Sequence, residues 1–72
     1  MTKEQLQSLR KSYPAGSRVE LLRMDDPQAP PLSTKGTVLG VDDIGSLLVR
    51  WDNGSGLNVI YSEDLARRID HE

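Results

Sequence analysis

The hydrophobic pattern changes period along this chain. From Thr2 to Tyr13 the apolar side chains Leu6, Leu9 and Tyr13 fall at helical spacing and form one narrow stripe. Thr2 followed three residues later by Gln5 has the form of a capping box, Glu4 lies in the first turn, and Arg10 and Lys11 lie in the last. These features predict a helix over residues 2–13, ended by Pro14 and released by Gly16. A helix this short is marginal alone and must pack its stripe on something, either its own chain or a second copy.

Beyond Gly16 the period falls to two. Ser17–Met24 alternates Val19 and Leu21 against Arg18 and Glu20, predicting a first strand. Further strands are expected over Gly36–Val41, Ser46–Trp51 and Leu57–Tyr61. A short fifth is expected over Arg67–Ile69, after a single helical turn at Ser62–Leu65. Asp43-Ile44-Gly45 and Asp52-Asn53-Gly54 supply tight-turn signals between the middle strands. Leu47, Val49 and Trp51 share one face, yet Leu48 and Ile60 point the other way. Such two-sided strands favour a closed or covered sheet. The fold expected is mainly β: a small SH3-like five-stranded barrel over residues 17–69, with the short N-terminal helix appended and a tail at 70–72. Asp25–Thr34, with Pro27, Pro30 and Pro31, is a long loop that cannot be a central strand.

Composition narrows the function classes. The chain has 72 residues, which bounds it to one domain. It has no cysteine, and its one histidine, His71, sits beside the end, so neither a disulfide framework nor a thiolate or imidazole metal site is expected. No apolar run approaches a membrane span and no signal segment is visible, which suggests a cytoplasmic protein. Nine basic and eleven acidic side chains give a net charge of −2, unlike the positive excess of a phosphate-reading domain.

With this pattern in view, the string Tyr13-Pro14-Ala15-Gly16-Ser17-Arg18-Val19-Glu20-Leu21, Met24-Asp25-Asp26-Pro27, Gly36-Thr37-Val38, Val41-Asp42-Asp43 and Trp51-Asp52-Asn53-Gly54-Ser55 resembles a small family of bacteria, phages and mobile elements known as a domain of unknown function. The resemblance covers residues 3–69. It implies no activity, cofactor or catalytic residue. Ser33 departs from it, standing where that family often has Gly. A looser, fold-level similarity links Gly36–Tyr61 to eukaryotic SH3-like modules that bind protein segments.

The candidate chemistry is modest. Asp42-Asp43 and Asp52 belong to successive hairpin turns, hence to opposite ends of the sheet. Asp25 and Asp26 are expected at the Asp52-Asn53 end, where three carboxylates would gather. Turn chemistry accounts for each of them without a site. Lys35-Gly36-Thr37 lacks the upstream glycine and following helix of a phosphate loop. The serines have no accompanying base, so catalysis is not expected.

Trp51 suits either a recognition platform with Tyr13 or Tyr61, or the core that its strand parity suggests. The expectation is a non-catalytic module that binds a protein or peptide without cofactor or metal, through Met24, Pro27, Pro30, Trp51 and Tyr61. The competing expectations are nucleic-acid binding through Arg18, Lys35 and Arg50, and a structural subunit acting by self-association.

Overall fold

The computed structural model describes residues 2–60 and 63–69. Helix α1 spans Lys3–Ser12, and the strands are β1 (Arg18–Arg23), β2 (Lys35–Val41), β3 (Ser46–Trp51), β4 (Val59–Ile60) and β5 (Leu65–Ile69). Thr2 caps α1: its side chain accepts from Gln5 N–H at 3.1 Å, while its own N–H donates to Gln5 Oε1 at 2.9 Å. The predicted capping box is therefore formed.

The strands make one antiparallel sheet in the order β4-β3-β2-β1-β5. Four adjacent pairs join them, each antiparallel, and β4 and β5 are the two edges, so the expected barrel is not closed. The helix lies where these edges approach. Leu9 is buried, and with Tyr13 it lines a small cavity of about 90 Å³ against Leu47, Val59, Leu65 and Ala66. Arg68 of β5 donates to Ser12 O at 3.1 Å, and Gly16 N–H donates to Val38 O at 2.7 Å. Leu9 and Tyr13 of the apolar stripe thus pack within their own chain.

The core is Leu9, Val19, Leu21, Val38, Leu47, Val49, Trp51 and Val59, with Tyr13, Met24, Val41 and Ala66 packed around it. Gly36 sits opposite both Val19 and Trp51. A side chain there would meet Val49 Cγ1 at 2.7 Å and Trp51 Cε3 at 2.8 Å, so the glycine admits the indole into the core.

Both hairpins follow one plan. In the β2–β3 connection Gly45 N–H donates to Asp42 O at 3.3 Å and Asp42 N–H to Ser46 O at 3.0 Å, with Gly45 at φ 87. After β3, Gly54 N–H donates to Trp51 O and Trp51 N–H to Ser55 O, both at 3.0 Å, with Gly54 at φ 92. Each is a turn followed by a left-handed glycine, a standard solution for three-residue hairpin loops.

β4 begins at Val59, two residues later than the expected Leu57. Leu57 leaves the ladder because its carbonyl accepts the Trp51 indole N–H at 2.8 Å. Tyr61, the cap Ser62 and the tail lie outside the described residues. β5 begins two residues earlier than expected, since Leu65 and Ala66 pair with Arg23 and Leu21.

The proline loop is held by its own turns. Ala29 N–H donates to Asp26 O at 3.0 Å, and Thr34 N–H to Pro31 O at 3.1 Å. Ser33, the departure from the family resemblance, is at φ 72, the left-handed position that a type II turn over Pro31–Thr34 requires. The turn is made with serine, at a backbone angle that glycine adopts without strain.

Candidate functional site

Trp51 is 1 % exposed, and Pro30 is also buried. Neither can meet a partner while the domain is folded, which corrects the expectation that they form a contact surface. The largest side chain of the chain fills the core, and its one polar atom is satisfied by Leu57 O. Pro27 is exposed, and Met24 is half-buried.

The basic candidates lie on the outer face of the sheet. Arg18 grips Asp52 with two bonds, Nη1 to Oδ1 at 2.9 Å and Nη2 to Oδ2 at 2.6 Å, and Nη1 also donates to Thr37 Oγ1 at 2.9 Å. This pairing holds the Asp52 carboxyl below its ordinary range, chiefly through the Arg18 hydrogen bonds, with the charges of Arg18 and Lys35 adding to the effect. Arg18 and Lys35 therefore both act on one carboxylate, and Arg67 donates to Glu20 at 2.9 Å. A shallow depression of about 460 Å³ lies beside them, lined by Thr37, Leu39, Arg50, Trp51, Asp52 and Gly54. Its charges are mixed and its one well-exposed apolar side chain is Leu39.

A different groove, of about 350 Å³, gathers the exposed apolar surface with the acids. The end of β1 supplies Met24, Asp25 and Asp26, the β2–β3 turn supplies Asp42, Ile44 and Ser46, and the β4 region supplies Leu57, Asn58, Ile60, Glu63 and Asp64. This corrects the expected location of Asp25 and Asp26, which were placed at the Asp52 end. β1 pairs with β2 from Arg18↔Thr37 as far as Glu20↔Lys35, and with β5 from Arg18↔Ile69 to Arg23↔Leu65, with a register shift between Leu21 and Arg23. Its end is thereby carried to the connection between β4 and β5. Ser46↔Ile60 brings the β2–β3 turn to the same place. Asp42 and Asp52 do lie apart, as successive turns require.

Local bonding explains part of this acidity. Asp42 Oδ1 accepts Ile44 N–H at 3.1 Å and Ser46 N–H at 2.8 Å, Asp26 accepts Gln28 N–H at 2.8 Å, and Asp64 accepts Ile60 N–H at 2.9 Å. Among the described residues, no group of three or more His, Cys, Asp or Glu is disposed to hold a metal ion. No helix is long and apolar enough to cross a membrane.

Pattern reasoning missed Ile44, Ile60, Glu63 and Asp64 as members of a common surface. One signal was available. Ile44 is 81 % exposed at the centre of a tight turn, where turn chemistry asks for a polar residue.

A model of the domain of unknown function DUF4314 matches residues 2–69. The chain belongs to the DUF4314 family. No curated protein and no solved structure matches it. In this DUF4314 chain the match begins at the helix cap and ends with β5, so it takes in every element around the groove.

Proposed function

We propose that this DUF4314 chain is a non-catalytic binding module whose partner is a protein segment seated in the groove between the end of β1, the β2–β3 turn and β4. The observation that carries the reading is the grouping of Met24, Ile44, Leu57 and Ile60 in one concavity, with Ile44 and Ile60 81 % and 43 % exposed. Exposed apolar side chains gathered in a concave surface are what a protein-binding site offers. Of the expected contact residues that lie among the described ones, Met24 lines this groove.

The strand order and the turn preceding β5 support an SH3-like reading of the sheet. The family resemblance suggests a bacterial, phage or mobile-element origin, and the absence of cysteine suits a reducing cytoplasm. Nucleic-acid binding through Arg18, Lys35 and Arg50 is the weaker reading, because Asp52 offsets charge at the centre of that patch.

A photo-crosslinking side chain at position 44, compared with one at Leu39 on the outer face, tests the site. In host lysate treated with nuclease, position 44 should give discrete protein adducts and position 39 should not. Adducts confined to position 39, or to nucleic acid in untreated lysate, would overturn the proposal.

A further inference from the structure

Resting on that protein-binding reading, we infer that the groove selects a segment carrying Lys or Arg beside apolar side chains. Five of the chain's eleven acidic side chains line it (Asp25, Asp26, Asp42, Glu63 and Asp64), and none of its nine basic ones does. With a net charge of only −2, the rest of the chain is positive in balance. Negative charge is therefore concentrated at a concavity that also exposes Ile44 and Ile60.

The hydrogen bonds to Asp26, Asp42 and Asp64 come from backbone N–H groups, which orient a carboxylate without cancelling its charge. The carboxylates of Asp25 and Glu63 make no hydrogen bond or ion pair among the described residues. An apolar floor with a rim of one sign fits an occupant of opposite charge. The apolar contact holds it, and the charges set its sign and speed its approach. The outer depression has no rim of one sign, since Arg50 and Asp52 both line it.

The test titrates the full chain with three synthetic peptides of equal length: alternating Lys–Leu, Gln–Leu and Glu–Leu. Backbone amide shifts by NMR give both location and affinity. Lys–Leu should perturb Ile44, Asn58, Ile60 and Asp64, and bind about tenfold more tightly than Gln–Leu at low salt, with the preference fading as salt rises. The double variant Asp25→Asn, Glu63→Gln should weaken that preference while retaining the fold, and an unchanged preference would overturn the charge inference. Ile44→Ser should weaken both peptides.

Equal binding of Lys–Leu and Gln–Leu in the groove, or preference for Glu–Leu, would overturn the charge inference and leave the protein-binding reading standing. Perturbation elsewhere, or no binding by any peptide, would overturn both. Self-association that perturbs the groove without peptide would assign it to a second copy and overturn the inference.

Discussion

Gly36→Ala and Gly40→Ala are the same substitution in the same strand, and the structure gives them opposite signs. Neither glycine has a positive φ, so alanine can adopt either backbone. At Gly36 the added Cβ would lie 2.7 Å from Val49 Cγ1, 2.8 Å from Trp51 Cε3 and 3.0 Å from Arg50 O. Ordinary carbon contacts fall at about 3.5–4.0 Å, so the methyl overlaps its neighbours by several tenths of an ångström or more. Val49 and Trp51 are 2 % and 1 % exposed and have nowhere to retreat, and Arg50 O belongs to the β2–β3 ladder.

Overpacking of this kind costs about 1–3 kcal/mol, offset by about 0.4–1 kcal/mol from the stiffer unfolded chain. The net loss should be about 1–2 kcal/mol, or a melting temperature lower by about 5–15 °C for a domain of this size. At Gly40 nothing lies within 4 Å, so only the unfolded-chain term remains and the variant should gain up to about 1 kcal/mol. Urea and thermal unfolding of the two variants beside the parent measure the difference. Gly36→Ala as stable as the parent, or Gly40→Ala as damaging as Gly36→Ala, would refute the close packing of Trp51 on β2.

Two further outcomes follow from single residues. Ser33→Gly should be stabilising by about 0.5 kcal/mol in urea unfolding, since relief of left-handed strain outweighs the added freedom of the unfolded chain; a loss of stability would contradict the turn assigned to Pro31–Thr34. Asp52 titrates lower in the folded state than its ordinary 3.8, so its pairing with Arg18 stabilises above that pH and is lost as pH falls below it. Asp52→Asn should therefore be less stable than the parent at neutral pH, with the gap narrowing in acid unfolding curves; a gap that widens on acidification would show that the pair does not act this way.

The elements that local rules specify were legible in the chain. Thr2 with Gln5 announced α1, and alternation along Ser46–Trp51 announced β3 within its observed bounds. The two glycine-ended turns announced the hairpins because the left-handed position can be read from residue type alone. What could not be read depends on contacts distant in sequence. The pairing of β1 with β5 up to Arg23↔Leu65 brings Asp25 and Asp26 beside the β4–β5 connection, and no composition signal marks it. The bond from the Trp51 indole to Leu57 O, at a position expected in β4, appears only once the ring is placed. The barrel expected from two-sided strands is instead an open sheet, and Leu9 of α1 packs on the core face with Leu47 and Val59 rather than on the face of Leu48 and Ile60.

The candidate site was harder to read than the fold because its residues serve two purposes. Asp42 is fully explained by the N–H groups of Ile44 and Ser46, so turn chemistry conceals any second role. Aspartate at a turn satisfies every local rule and carries no information about a partner. Ile44 satisfies none. It leaves an apolar side chain in water at a position where Asn, Asp or Gly would suit the backbone better, and it shares a groove with Met24, Leu57 and Ile60. Where local propensity and placement disagree without a packing gain, function is the usual reason for the disagreement. On that argument Ile44 is the residue whose substitution by serine should leave the fold intact and remove the groove's apolar contact.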